Sequence, residues 1–171
     1  LESLYAEFKD IVKIATWDNK SVELASTIAG YIIVHGFDYR VELVDAEDVD
    51  YKTGLPKGEV DLVMLMPLDW AAGQIETGAV KDVGTLLRGT PGTRIGMSTR
   101  LANGAPDLVA FLGNMSPNDE QFAKLAKSIT KSRTGVRPNV AALKFLKNFE
   151  GSWTPWVPDE VTAKVKAAID S

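Results

Sequence analysis

The stretch IVKIATWDNKSVELASTIAGYIIVHGFDYRVELVD (residues 11–45) changes its hydrophobic period twice, and those changes decide the fold class. Residues 11–17, IVKIATW, form a short β-branched run suited to a central strand. From Asn19 the apolar positions move to helical spacing, with Ala25, Ile28, Ala29, Ile32 and Ile33 on one face. Asp18 or Asn19 supplies a side chain able to cap that helix, and Gly36 is placed to stop it. YRVELVD (39–45) then alternates as a second strand. Strand, helix and strand of these lengths predict a βαβ unit and therefore a parallel sheet.

Working outward, EVDLVMLM (59–66) is apolar enough for a strand covered on both faces. LDWAAGQIETG (68–78) reads as a short helix, VKDVG (80–84) as a brief strand, and TRIGMST (93–99) as another. Glycines and prolines crowd the interval from Thr85 to Pro106, the strongest punctuation in the chain. Beyond it the pattern is helical over 106–115, 117–132, 138–149 and 158–171, each run with a proline near its first turn. LESLYAEFKD (1–10) places Leu1, Leu4, Tyr5 and Phe8 on one helical stripe. The expected organisation is one α/β lobe over 1–171: an N-terminal helix at 1–10, a βαβ part at 11–84, a crossover at 85–105, and a helical part at 106–171.

Composition narrows the function. At 171 residues and 45% hydrophobic content the chain can bury a full core, so one domain is expected. A net charge of −4 lacks the basic surface that nucleic acid demands. The absence of cysteine removes thiolate nucleophiles, disulfides and thiolate-rich metal sites. No apolar run reaches the roughly 20 residues that span a bilayer. The single histidine, His35, falls at the expected end of the first helix, and no serine stands in a G-x-S-x-G context. The glycines of GTPGTRIG (89–96) lack the lysine of a phosphate loop and read as a turn. Asp45, Glu47, Asp48 and Asp50 read as a solvated acidic loop, and Lys124, Lys127, Lys131, Arg133 and Arg137 chiefly as a solvated helix face. No catalysis, metal or cofactor is expected.

The aromatics carry the remaining signal. Trp17 stands at the end of the first strand and Trp70 just after the third, and ligands of open α/β sheets bind outside the carboxyl ends of strands. Indole faces attract cations through the ring quadrupole. Two readings of Trp17 stand: a ring presented to a ligand, or a plug between helix and sheet. Trp153 and Trp156, in GSWTPWVP, are expected to pin the last helix to the core.

A series of segments then resembles one family. The strand-Trp-helix run of 11–44, LPKGEVDLVM (55–64), AVKDVG (79–84), APDLVAFLGNMSPNDEQFAKLAKSI (105–129) and PNVAALKFLKNFEGSWTPWVP (138–158) together resemble the glycine betaine/choline substrate-binding proteins of osmoprotectant ABC transporters. The resemblance implies a type II periplasmic-binding-protein fold, of which this chain supplies one lobe with a mostly parallel sheet of about five strands flanked by helices. It also implies an aromatic cage for a quaternary ammonium ligand such as glycine betaine, choline or proline betaine. Trp17 would give one wall of that cage and Trp70 another, with Asp18 or Asn19 adding polar contacts. An extracytoplasmic location and an ABC permease as partner follow from the same source. The family inserts a second lobe after the strand matching VKDVG; here TLLRGTPGTRIGMSTRLANGAPDL (85–108) follows instead and resembles the returning crossover strand. A lone lobe offers half a cage, which predicts weak binding, or a homodimer pairing two exposed rims. Two alternatives remain: a non-catalytic scaffold or interaction domain, and an excised or engineered lobe without ligand binding.

Overall fold

The computed structural model of the chain describes residues 11–89, 92–130 and 135–171. The helix expected over 1–10, and Lys131 and Arg133 of the basic stretch, lie outside these residues. Five strands form one sheet: β1 (Val12–Thr16), β2 (Val41–Asp45), β3 (Leu62–Pro67), β4 (Val80–Gly84) and β5 (Thr93–Ser98), in the spatial order β2-β1-β3-β5-β4. β1 pairs in parallel with β2 and β3, whereas β5 runs antiparallel to both β3 and β4. Four strands thus point one way and β5 returns between two of them. The sheet is α/β with its strands mostly parallel, as the sequence predicts, and the antiparallel β5 makes it mixed.

The first helix, α1 (Lys20–Phe37), links β1 to β2. α2 (Tyr51–Lys57) precedes β3, and α3 (Leu68–Glu76) follows it without a break. After β5 come α4 (Thr99–Gly104), α5 (Pro106–Asn114), α6 (Asp119–Ser128), α7 (Pro138–Asn148), the short α8 (Glu150–Trp153), a 3-10 turn (Thr154–Trp156) and α9 (Asp159–Asp170). Pro106 and Pro138 open their helices, where a missing N–H costs nothing.

The sheet sorts its side chains into two cores by the two-residue period of a strand. Ile14, Leu62 and Met64 face a large cluster with α1 and α5 to α9. Ala15, Val63 and Met66 face a smaller cluster built on Tyr51 and Leu55 of α2 and Ala71 of α3. Burial on both faces explains why β3 reads as an unbroken apolar run. Trp153 is fully buried and donates Nε1–H to the Leu146 carbonyl at 2.8 Å. Trp156 stacks on Phe145, ring centroids 5.8 Å apart, and both tryptophans share the large core with Val161 and Val165 of α9. The expected pinning of the last helix holds.

Gly36 does not stop α1. The helix runs to Phe37 and ends on Asp38, which adopts the left-handed conformation at φ 64° and donates its N–H to the Ile33 carbonyl. Gly36 is instead buried where α9 crosses: a Cβ there would lie 2.6 Å from Val161 Cγ1 and 2.9 Å from Val165 Cγ2. Its lack of a side chain sets a helix-to-helix distance.

Asp61, just ahead of β3, is a fully buried carboxylate. It accepts from the Lys13 N–H at 3.1 Å, from Ser98 Oγ at 2.8 Å and from Arg100 Nη2 at 2.8 Å. Ser98 Oγ also accepts the Leu101 N–H that opens α4. One side chain therefore ties β1, β3 and the end of β5 together, at the amino end of the parallel strands and away from the aromatic rim. Burying a charge without such partners would be prohibitive.

Candidate functional site

At the carboxyl ends of β1, β2 and β3, each connection carries an aromatic ring. The β1–α1 connection holds Trp17. Three hydrogen bonds fix the backbone here: the Asn19 N–H donates to the Trp17 carbonyl at 2.7 Å, and Asn19 Oδ1 accepts from the Ser21 and Val22 N–H groups at 3.0 and 3.1 Å. Of the two candidate caps, Asn19 is therefore the one that caps α1. Asp18 is exposed beside it.

The second ring, Tyr51, is one that the sequence pattern does not single out. Residues after β2 form α2, capped by Asp50 Oδ1 on the Lys52 N–H at 3.0 Å and closed by Gly58 at φ 78°. This places Tyr51 at the start of the helix, with 8% of its surface exposed. The acidic loop ahead of it, Asp45, Glu47 and Asp48, is solvent-exposed as the sequence suggests. The third ring, Trp70, lies in the first turn of α3, three residues past the end of β3.

These rings meet. Trp17 stacks on Tyr51 with centroids 5.1 Å apart and planes 17° from parallel. Trp70 meets the same tyrosine edge to face, at 5.6 Å and 89°. Offset stacks and T-shaped contacts are the favoured geometries of aromatic pairs. Both tryptophans are half-buried against the small core and keep part of their surface in solvent, while Tyr51 fills the space between them. The trio therefore presents outward ring surface and does not enclose an empty box.

Its position is that of a switch point, because α1 carries the chain from β1 to β2 on one side, and β3 adds on the other. The electrostatics are acidic. Asp18, Asp50 and Asp69 are exposed, and each is the immediate chain neighbour of one ring. Burial raises the pKa of the Tyr51 phenol, and the charges of Asp50 and Asp69 raise it further.

A cleft of about 420 Å³ opens at the same end of the sheet, lined by Leu68, Gly84, Thr85, Arg88, Gly92, Thr93, Arg94 and Gly113. None of the three rings lines it. Arg94 is held there by Asp82: Nε lies 3.0 Å from both carboxylate oxygens and Nη2 lies 2.9 Å from Oδ2. Arg94 Nη1 also donates to Thr85 Oγ1 at 2.6 Å. This fork binds the end of β4 to the start of β5.

His35 is exposed on α1, its ring 4.3 Å from that of Tyr31. Among the described residues no group of three or more His, Cys, Asp or Glu is arranged to hold a metal ion, and no helix is long and apolar enough to cross a membrane.

No protein-family model and no curated sequence matches the chain. Solved structures do. An ABC-transporter choline binding protein in complex with choline superposes with a TM-score of 0.78 at 12% identity, covering 96% of this chain and 99% of that one. Lactococcal OpuAC, in its closed-liganded conformation with glycine betaine, superposes with a TM-score of 0.70 at 8% identity, covering 87% of this chain and 100% of that one. At such identities the likeness is one of fold: a five-stranded α/β sheet flanked by helices, shared with these two transporter binding proteins.

Proposed function

We propose that the chain captures a quaternary ammonium osmolyte, such as choline, glycine betaine or proline betaine, for an ABC importer, without catalysis. The observation that carries this reading is the convergence of Trp17, Tyr51 and Trp70 from three adjacent parallel strands at the switch point. Quaternary ammonium groups cannot donate hydrogen bonds, so ring faces are the natural surface for them. Trp17 and Trp70 supply the outward faces, Tyr51 sets their spacing, and Asp18 adds charge. The fold shared with the choline and glycine betaine binding proteins supports the same assignment, and with it an ABC permease as partner and an extracytoplasmic place of action.

Each ring face contributes about 0.5–2 kcal/mol toward a cation. One wall of rings thus gives weak capture, near millimolar, or about −4 kcal/mol. A second wall comes from another copy pairing rim to rim, or from a further lobe. Titration of tryptophan fluorescence with choline, glycine betaine and the uncharged choline isostere 3,3-dimethylbutanol tests the reading. The charged ligands should perturb the signal at millimolar levels, the isostere should not, and Trp17→Ala should lose the response. A flat signal with both charged ligands would overturn it, and sub-micromolar binding by a proven monomer would overturn the half-site.

A second reading treats the rim as a protein-docking surface on a non-catalytic scaffold. Leu68 favours it, since this large apolar side chain, on the lining of the cleft and two residues before Trp70, is 41% exposed.

A further inference from the structure

The three rings are not flanked at random. Trp17 is followed by Asp18, and Tyr51 and Trp70 are preceded by Asp50 and Asp69. Local structure fixes the second and third of these acids. Asp50 caps α2 and cannot leave Tyr51 without releasing the Lys52 N–H. Asp69 stands in the first turn of α3, where the helix dipole favours a carboxylate. Both lie near enough to Tyr51 for their charges to act on its phenol.

The positive groups close by are differently disposed. Lys20 and Lys52 are exposed side chains whose long stems let the ammonium stay in water. Arg94, in the neighbouring cleft, is matched by Asp82, which leaves the exposed Arg88 as the cleft's other guanidinium. Three aspartates against two lysines leave the charge balance around the rings negative, and Asp50 and Asp69 are the ones that local structure fixes there.

We infer that Asp50 and Asp69 make the aromatic trio selective for organic cations that carry no carboxylate, choline and tetramethylammonium being the type, over zwitterions such as glycine betaine. This inference rests on the quaternary ammonium reading above and sharpens it. A net cation gains attraction from both aspartates. A zwitterion brings its carboxylate within a few bonds of the ammonium, so repulsion cancels most of that gain. The choline hydroxyl, in addition, can donate to a carboxylate.

The experiment is a fluorescence titration of the full chain at low ionic strength with choline, tetramethylammonium and glycine betaine. Choline and tetramethylammonium should half-saturate at concentrations about tenfold below glycine betaine. That preference should shrink as salt is raised, because exposed charges are screened. Asp50→Asn together with Asp69→Asn should bring the ratio toward one. Asparagine caps a helix as well as aspartate does, so α2 should survive the change; Asp69→Asn alone, at an exposed site, should move the ratio in the same direction. Equal or tighter binding of glycine betaine would overturn the inference while leaving the quaternary ammonium reading intact, and would point to Arg88 as a carboxylate partner. A ratio unchanged in the double variant would also overturn it. Silence toward all three ligands would remove both.

Discussion

The indole of Trp17 lies on the phenol ring of Tyr51, 5.1 Å between centroids and 17° from parallel, so a residue ending one strand and a residue opening a helix beside it form a single stack. Trp17→Ala removes that stack from a half-exposed position. The expected loss is about 2 kcal/mol, below the 3–5 kcal/mol of a fully buried tryptophan. Tyr51→Ala, at a buried position touching both indoles, should cost more. A double-mutant cycle by urea unfolding should return a Trp17–Tyr51 coupling of about 0.5–1.5 kcal/mol; additive losses would mean that the stack contributes no interaction of its own.

Asp61→Ala should be among the most damaging single changes in the chain. It removes the carboxylate that Arg100 pairs with, leaves Ser98 Oγ and the Lys13 N–H without that acceptor, and opens a buried polar hole. Arg100 is half-exposed and can turn to water, so the cost comes from the buried N–H and hydroxyl left unsatisfied, about 1–3 kcal/mol each. Chemical denaturation measures this directly, and a loss under about 1 kcal/mol would show that water replaces the carboxylate.

Gly36→Ala tests the crossing of α1 and α9. The added methyl would meet Val161 and Val165 at distances no relaxed contact allows. Overpacking of this kind costs about 1–3 kcal/mol. Helix propensity acts in the other direction, favouring alanine by about 1 kcal/mol. A net loss in thermal unfolding shows that packing wins; a net gain would mean that α9 moves aside.

Tyr39 gives a pH dependence with a definite sign. Burial, then the charge of Asp107 and its hydrogen bond from the phenol, push the Tyr39 pKa up to about 12 from 10.0. The folded protein holds that proton after the unfolded chain has released it, so the contribution is complete below pH 10 and is lost as pH rises toward about 12. Tyr31 and Tyr51 are shifted the same way. Thermal unfolding followed across this range should fall more steeply for the parent than for Tyr39→Phe, which has no proton there to lose.

Much of this fold is legible in the sequence because its central strands are buried on both faces and its long helix keeps a clean 3.6-residue stripe. The returning strand β5 could be anticipated from the glycine and proline crowding ahead of it. Tyr51 could not be read in the same way. Its helix, YKTGLPK, contains Gly54 and Pro56, which argue against a helix in any local scale. Packing favours the glycine all the same: a Cβ on Gly54 would lie 3.0 Å from Val49 and 3.2 Å from Val60, the residues just before and just after the helix, so the fit depends on how the chain folds back at both ends. The usable signal was the pair of ends, Asp50 as cap and Gly58 as stop. Gly36 misleads for a related reason, since a glycine near a helix end serves equally as a terminator or as a close crossing, and the choice depends on α9.

The Asp82–Arg94 fork has a last consequence. It fastens β4 to β5 where their connection begins, a connection that Leu86 anchors in the large core before Arg88 and Gly89 emerge exposed. That exposed pair is a graft point. Chain inserted between Arg88 and Gly89 would leave the strands in register, because each doubling of such a connection adds only about 0.6 kcal/mol of closure entropy. A guest domain placed there would emerge at the same end of the sheet as the three rings, ready to face them.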